Sequence, residues 1–250
     1  MTRPMTLALA IAGCNGRMGR ALIDAAGRDA RFSITGTTTR GGTSANAAGA
    51  NADVWIDFTT PDATIAALDA LSGAKVRAAV IGTTGLSPAQ EDRIVEHAKR
   101  IAIVRSGNFS LGVNLLAALV EDAASKLSAD WDIEIFEAHH RRKVDAPSGT
   151  AVMLGEAAAQ GRSQALKDVR LPPNTGITGA RKPGGIGFAS LRAGGIIGEH
   201  EVMFATEREV LTLSHSALDR GLFADGALAA ALWAADKTPG LYTMRNVLGL

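Results

Sequence analysis

A short apolar strand that runs into three closely spaced glycines and then into a helix is the feature that most constrains the fold of this chain. Residues 7–12 are apolar, glycines follow at 13, 16 and 19, and helical spacing of apolar residues begins near Arg17. Backbone N–H groups and the positive end of the helix dipole meet at such a turn. The spacing G-x-x-G-x-x-G is not the commoner G-x-G-x-x-G, so a tight turn that binds nothing is the alternative. In its strand-turn-helix context, the motif predicts a dinucleotide pyrophosphate site.

The same residues allow a second interpretation, a short lipoprotein signal peptide that ends at Cys14. The apolar stretch 6–12 has about the minimum length of a signal core, ~7 residues. Only 13 residues precede Cys14, fewer than the ~15–30 of a signal peptide. Because the turn continues directly into a helix, we favour a buried first strand and expect a cytoplasmic protein without a targeting segment.

The composition of the chain excludes several classes of protein. The 250 residues carry a net charge of +1, which argues against binding nucleic acid through a general basic field. The longest apolar run, residues 227–235, is far below the ~20 residues that cross a bilayer. A single cysteine cannot form an intrachain disulfide. We therefore expect a globular protein with neither nucleic-acid nor membrane partners.

Apolar segments alternate with helical ones in the first part of the chain. The predicted strands are residues 7–12, 32–38, 54–58, 76–81 and 101–105, and the predicted helices are 17–27, 62–71 and 88–99. The last of these helices has a capping box, with Ser87 as N-cap, Pro88 at its first position and Gln90 completing the box. Such alternation predicts a parallel sheet covered on both faces.

The pattern changes near residue 110. Helices are predicted over 113–127, 150–160 and 224–235, and a half-exposed strand is predicted over 131–137. Strands of a mostly antiparallel sheet are predicted at 186–192, 201–205 and 210–215. Residues 161–185 are predicted to form a loop with little structure, and a short tail ends the chain. The predicted fold class is therefore α/β. It consists of a Rossmann-like dinucleotide-binding domain, residues 1–110 and 218–250, with an inserted α+β domain, residues 111–217.

The end of the second predicted strand bears on which dinucleotide would bind. An NAD-selective site usually places Asp or Glu there to bind the ribose 2′-hydroxyl, but residues 36–40 read Gly-Thr-Thr-Thr-Arg. Arg40 suits a 2′-phosphate, so NADPH is favoured over NADH, and an exposed arginine without a role is the alternative. The turns at 82–84 and 106–109 follow later strands, where their backbone is expected to hold the nicotinamide and its ribose.

The densest polar stretch of the chain, residues 137–150, follows a predicted strand and ends at a predicted helix start. Residues 139–143 read His-His-Arg-Arg-Lys, and Ser-Gly-Thr at 148–150 presents N–H groups at the helix start. This combination predicts an anionic substrate, a polycarboxylate in particular, and a histidine suited to acid–base chemistry near neutral pH. A solvated basic loop, or a patch that contacts RNA or phosphate, is the alternative.

The remaining histidines are assigned no chemistry. His97 lies on a charged helix and is expected at the surface, whereas His200 and His215 fall in predicted strands and are expected to be structural. No metal site is predicted in the polar stretch, because adjacent histidines point in different directions and the neighbouring cations disfavour a divalent ion.

Seven segments carry a resemblance to a known family. They are residues 13–19 (GCNGRMG), 57–61 (DFTTP), 82–85 (GTTG), 108–114 (NFSLGVN), 137–150 (EAHHRRKVDAPSGT), 192–200 (RAGGIIGEH) and 240–250 (GLYTMRNVLGL). Together they resemble the dihydrodipicolinate reductase family over nearly the whole chain, and the run from His139 to Thr150 is the most specific.

The resemblance implies a role for each predicted site residue. It implies that His139 is the acid/base residue and Lys143 a proton donor. The substrate-binding residues that it implies are His140, Ser148, Gly149 and Thr150. The cofactor contacts that it implies are Gly13, Cys14, Asn15, Gly16, Arg17, Met18, Gly82, Thr83, Thr84, Ser106, Gly107, Asn108 and Phe109.

The resemblance also implies a reaction and an assembly. The reaction is the reduction of a hydroxylated cyclic dicarboxylate, with loss of water, by NADPH or NADH in diaminopimelate and lysine biosynthesis. Residues 111–217 would bind the substrate and build a homotetramer. The chain departs from the family pattern at Arg142, where a histidine is common, and at Gly195, where an aspartate is usual. Arg40 stands where an acidic residue is frequent, which supports NADPH.

Overall fold

The computed structural model describes residues 6–71 and 74–250. The chain divides into two compact units, one of Met1–Leu111 with Arg220–Leu250 and the other of Gly112–Asp219. Residues 1–5 and 72–73, which belong to the predicted dinucleotide-binding domain, lie outside the described residues.

The first unit is built on a parallel sheet. Its strands are β1 (Leu7–Ile11), β2 (Phe32–Thr37), β3 (Val54–Asp57), β4 (Ala78–Ile81), β5 (Ala102–Arg105) and β10 (Gly240–Tyr242). Its helices are α1 (Arg17–Gly27), α2 (Ala45–Gly49), α3 (Pro61–Ala70), α4 (Pro88–Ala98), α8 (Gly221–Ala234) and α9 (Met244–Leu248). The strands pair in the order β10-β5-β4-β3-β1-β2, and each pair is parallel.

Apolar residues fill both faces of this sheet. On β1, Leu9 and Ile11 belong to a cluster with residues of α1 and α8. Ala10, which points to the other face, belongs to a second cluster with Trp55 and Ile94. A strand made only of apolar residues must be buried on both of its faces. The prediction of a parallel sheet covered on both faces is therefore confirmed. The turns that follow the strands therefore lie along the carboxyl edge of the sheet.

The structure corrects the prediction of a plain C-terminal tail. Gly240–Tyr242 forms β10, an edge strand whose backbone pairs with residues 102–104 of β5. Three residues are too few to show a periodic pattern, so only pairing with a neighbouring strand defines this element. The helices α2 and α9 were also missed, because their 5 residues each are too few to show helical periodicity.

His97 is buried (5% exposed) and not at the surface as predicted. Its Nε2 lies 2.9 Å from Oδ1 of Asp69, and its Nδ1 lies 3.0 Å from Nη2 of Arg100. These polar partners allow the ring to be buried on an otherwise charged helix. Within residues 6–71 and 74–250, no helix has the length and hydrophobicity needed to cross a membrane.

The second unit packs helices against a mixed sheet. Its strands are β6 (Asp132–His139), β7 (Ile186–Arg192), β8 (Glu199–Ala205) and β9 (Val210–Ser216), and its helices are α5 (Leu111–Lys126), α6 (Gly149–Gly161) and α7 (Leu166–Val169). The order is β7-β6-β8-β9, with β6 and β7 parallel and the other two pairs antiparallel. The short helix α7 interrupts the predicted loop 161–185. Ile133 and Ile135 of β6 form the core with Val120 of α5 and Leu154 of α6.

Candidate active site

The glycine turn after β1 adopts a backbone that depends on its glycines. Gly13 has a φ of +64°, in the left-handed region, and a Cβ added at Gly19 would overlap the backbone of Gly13 and Cys14. Helix α1 then begins at Arg17, with Gly16 as N-cap and no side-chain hydrogen bond capping it. Because no side chain caps this helix start, the turn fits the pyrophosphate of a dinucleotide.

The loop after β2 is tied to this turn. The amide of Gly13 donates to Oγ1 of Thr38 at 3.3 Å, and the amide of Cys14 donates to the carbonyl of Thr38 at 3.0 Å. Arg40, two residues further along, is exposed, as is Asn15 in the glycine turn. The loop that carries Arg40 therefore begins beside the turn.

Aromatic packing holds the turns after β3, β4 and β5 together. The ring centroids of Phe58 and Phe109 are 5.2 Å apart in an edge-to-face arrangement. A Cβ added at Gly82 would overlap the ring of Phe58, so only glycine fits there without a shift. The two segments 82–84 and 106–109, both predicted to contact the cofactor, thus contact the same aromatic ring.

Polar side chains in these turns bond within the protein. The hydroxyl of Thr83 lies 2.8 Å from that of Thr64 and accepts from the amide of Thr59 at 3.1 Å. The hydroxyl of Ser106 donates to the carbonyl of Asn108 at 2.6 Å. These bonds order the turns, so backbone groups are the part of Thr83 and Ser106 suited to contact a dinucleotide.

The register of the second sheet aligns four ionisable side chains. Glu137 and His139 are two residues apart on β6, so their side chains lie on the same face. Glu137 pairs with His200 on β8, and His139 pairs with Arg192 on β7. Ile135 of the same face lies in the apolar core. The four polar residues therefore extend a core-facing row at the carboxyl end of β6.

The Glu137 carboxylate is fully buried (0% exposed) and accepts hydrogen bonds from side chains and from a backbone amide. Nη1 and Nη2 of Arg192 donate at 2.7 and 2.6 Å. Nδ1 of His139 lies 2.6 Å from Oε2, and the amide of Ser148 donates to Oε1 at 3.1 Å. Burial alone would raise the pKa of Glu137, but hydrogen bonds from Arg192, Ser190 and His139, together with the charge of Arg192, outweigh burial and lower the pKa to about 2. The carboxylate is therefore ionised at neutral pH.

Burial is the largest influence on the pKa values of the two histidines beside this carboxylate. It lowers the pKa of His139 below its ordinary value by more than the neighbouring Glu137 raises it. Burial also lowers the pKa of His200 to about 4, and the centroids of the His139 and His200 rings are 5.1 Å apart. Both rings are therefore neutral at pH 7.

Acidification is expected to destabilise the fold through His200. The pKa of His200 is about 4 in the fold and 6.5 in an unperturbed histidine. Between these two pH values the unfolded chain binds more protons than the folded chain, so the free energy of unfolding decreases as the pH is lowered. We expect a loss of about 3 kcal/mol over this interval, at ~1.4 kcal/mol per pKa unit. Urea unfolding at a series of pH values measures it. His200→Asn should remove most of the slope and His97→Asn should retain it. A full slope in His200→Asn would contradict this assignment.

Helix α6 begins directly beside the buried carboxylate. Ser148 is its N-cap, and Oγ of Ser148 accepts from the amide of Ala151 at 3.1 Å and lies 3.1 Å from Nε2 of His200. The Ser148 hydroxyl is thus engaged within the fold. Gly149 and Thr150 form the first turn, where the helix dipole is positive and suits a carboxylate.

The loop between β6 and α6 carries the other predicted residues. Nζ of Lys143 donates to Oδ2 of Asp145 at 2.8 Å, and Arg192 donates to the carbonyl of Asp145 at 2.7 Å. Nδ1 of His140 is buried and has no hydrogen-bond partner in the described part of the chain. The positive charge expected over 139–143 is therefore partly offset by Asp145 and the nearby Glu137.

Three members of this cluster had no predicted catalytic or binding role: Glu137, Arg192 and His200. The spacing of two between Glu137 and His139 on an alternating strand was the available signal, since it puts both on one face. His200 was expected to be structural. It is buried, and it also contacts the hydroxyl of Ser148.

Comparisons with known proteins cover both units. The family model described as the N-terminus of dihydrodipicolinate reductase matches residues 7–109, and that described as its C-terminus matches 112–248. The 4-hydroxy-tetrahydrodipicolinate reductase of Caulobacter vibrioides is 56% identical and covers 100% of this chain and 99% of its own length. The Dinoroseobacter shibae protein of the same name is 49% identical over 97% of this chain and 98% of its own. A dipicolinate-bound dihydrodipicolinate reductase from Paenisporosarcina sp. TG-14 aligns with a TM-score of 0.78, 25% identity, and coverage of 96% of this chain and 98% of that one.

The Rossmann-like sheet, its glycine turn and the matched relatives define an NAD(P)H-dependent oxidoreductase. Because the two family models match well over half of its residues, the chain belongs to the dihydrodipicolinate reductase family. The resemblance and the fold class predicted from the sequence are both confirmed.

Proposed function

We propose that the chain reduces 4-hydroxy-tetrahydrodipicolinate to tetrahydrodipicolinate, with loss of water, in lysine and diaminopimelate biosynthesis. The observation that carries this proposal is the 56% identity, over the full length, to the Caulobacter vibrioides reductase of that name. The positive helix start at Gly149 and Thr150 agrees with a small cyclic dicarboxylate as substrate.

Residues of the second unit supply the binding and the proton chemistry in this proposal. His140, Ser148, Gly149 and Thr150 bind the substrate, and the Ser148 hydroxyl also caps α6. Loss of the hydroxyl as water consumes one proton, which a protonated His139 or Lys143 donates. A dianionic substrate favours the protonated imidazole of His139, because opposite charge nearby raises a histidine pKa.

The first unit binds the dinucleotide in this proposal, through residues 13–18, 82–84 and 106–109. NAD(P)H supplies a hydride when bound. The uncapped start of α1 holds the pyrophosphate, and the turns ordered by Thr83 and Ser106 orient the nicotinamide end through their backbone.

The proposed reaction is tested by supplying the condensation product of pyruvate and aspartate semialdehyde to the purified chain with NADPH. We expect NADPH oxidation that depends on both precursors. Oxidation with other amino-acid semialdehydes or dicarboxylates, but not with this product, would favour a related dehydrogenase. Dinucleotide binding without any oxidation would favour a non-catalytic protein.

NADPH is the proposed preferred cofactor, and Arg40 is the proposed reason. We expect Arg40→Ser to raise the KM for NADPH roughly ten- to a hundredfold, since a hydrogen bond to a charged group contributes about 1.5–3 kcal/mol. The KM for NADH should stay unchanged. Arg28→Ser is the matched control, because Arg28 is an exposed arginine at the other end of α1. This substitution should alter neither the KM for NADPH nor the KM for NADH. Equal loss with both dinucleotides would show that Arg40 does not read the 2′-phosphate.

Residues 111–217 are proposed to build a homotetramer as well as to bind substrate. Leu191 (41% exposed), Leu211 (39%) and Val210 (60%) of β7 and β9 are apolar surface that an interface would cover. Sedimentation velocity should give the mass of four chains, and a monomer would refute the assembly. We propose a cytoplasmic location, which cell fractionation tests.

A further inference from the structure

One buried carboxylate joins the proposed acid to the proposed substrate-binding helix. Oε2 of Glu137 lies 2.6 Å from Nδ1 of His139, and Oε1 accepts from the amide of Ser148 at 3.1 Å. Ser148 is the residue from which α6 starts, directly before Gly149. The two oxygens of a single side chain therefore contact both parts of the proposed site.

The bond to Nδ1 determines which nitrogen of His139 is available for chemistry. An ionised carboxylate only accepts hydrogen bonds, so Nδ1 must carry the proton that it donates to Glu137. Nε2, on the opposite edge of the ring, is then the atom that gains or gives a proton. A Cβ added at Gly198 would come within 3.2 Å of this Nε2, so the absence of a side chain there keeps that edge open.

Arg192 fixes the carboxylate that performs this role. Its two Nη atoms bond both oxygens of Glu137, and Nη2 also donates to the carbonyl of Asp145 at 2.7 Å. A bidentate pair leaves the carboxylate little rotational freedom. The orientation of His139, the start of α6 and the loop at Asp145 are consequently set by one ion pair.

We propose that Glu137 is a positioning residue for the reaction. It holds His139 in the tautomer with Nδ1–H, so that Nε2 faces the substrate, and it holds the start of α6 at a set distance from that ring. This inference rests on the proposed function for the roles of His139 and of the helix start. A purely structural ion pair with Arg192 is the competing explanation, and it makes no claim about the tautomer.

The tautomer can be read in the unaltered protein. The chain has five histidines, so ¹⁵N-histidine NMR at neutral pH is tractable, and the spectrum of His139→Gln identifies the signals of His139. We expect Nδ1 to be protonated and Nε2 unprotonated. The opposite tautomer would overturn the proposal, whatever the outcome of the activity assay and without any change at Glu137.

Glu137→Gln tests the consequence for catalysis. An amide keeps the shape but cannot accept hydrogen bonds at both ends, so we expect kcat to fall by at least ~10²-fold while the KM for NADPH is retained. The NMR signals of His139 should shift towards the Nε2–H form. The pH dependence assigned to His139 should move to lower pH, because the negative charge of Glu137 favours the protonated ring and the amide removes that charge. The other ionisable neighbours of His139, which are Lys143, Arg192 and His200, are unchanged in this variant.

Glu134→Gln is the matched control on the same strand. Glu134 pairs with Arg181 at 2.9 Å, as Glu137 pairs with Arg192, but lies on the other face of β6. We expect it to keep kcat, the pH profile and the His139 tautomer. If Glu137→Gln keeps kcat and tautomer, Glu137 has no positioning role. If the unaltered chain does not oxidise NADPH with the proposed substrate, the proposed function fails, and the tautomer result stands on its own.

Discussion

His139→Gln should lower kcat by ~10²–10⁴-fold, the range that a positioned general acid contributes. Glutamine fills a similar volume and can still meet Glu137, but its amide does not exchange a proton near neutral pH. The substrate KM should change little, because His139 is assigned the proton transfer and His140, Gly149 and Thr150 the binding. Steady-state kinetics with NADPH oxidation as readout measure both constants.

The pH profile separates loss of an acid from general damage at His139. A general acid must be protonated, so kcat/KM of the unaltered chain should decline as the pH rises through the pKa of His139. Burial places that pKa below the ordinary value. In His139→Gln this decline should disappear. His97→Gln changes a buried histidine paired with Asp69 in the other unit and should retain both rate and profile. Unchanged turnover in His139→Gln would remove it from the chemistry.

Lys143→Ala should reduce both kcat and substrate affinity. The ammonium is proposed to donate a proton and to attract a dicarboxylate, so we expect kcat to fall by about 10²-fold and the substrate KM to rise by about tenfold. Lys126→Ala is the matched control, because Lys126 bonds Asp122 at 2.6 Å much as Lys143 bonds Asp145 at 2.8 Å. It should leave both constants unchanged.

Lys143→Arg distinguishes the proton from the charge. Arginine keeps the positive charge but does not release a proton at ordinary pH. If Lys143 donates a proton, the arginine variant should recover substrate affinity and not kcat. Recovery of both would assign Lys143 an electrostatic role only. Wild-type values for both constants in Lys143→Ala would place it outside the site.

Local pattern predicted most of the first unit. The capping box at Ser87 and Gln90 forms as expected, because capping depends on residues three apart in the chain. The helix α1 has its predicted bounds, and the apolar strands are buried on both faces. The strand β10 could not be predicted from local pattern, since an edge strand of three residues is defined only by its pairing with β5.

The candidate site was predicted in part. His139, Lys143 and the start of α6 stand out by residue type and by their place after a strand. The contacts of these residues did not follow from the pattern. The binding of substrate by Ser148 stays a prediction, but the sequence did not indicate that its hydroxyl caps α6 and that its amide donates to Glu137.

The sequence by itself determined the fold class, the glycine turn and the location of the polar cluster, because glycine spacing, burial periodicity and capping act between near neighbours in the chain. Only the tertiary structure decided that Glu137 meets Arg192, 55 residues away, and that His200, 52 residues from Ser148, meets that N-cap. Strand register brings Glu137 beside Arg192, and the position of the start of α6 beside β8 brings Ser148 to His200. Both depend on turn lengths and on packing summed over the whole unit, so no local stretch of sequence contains them.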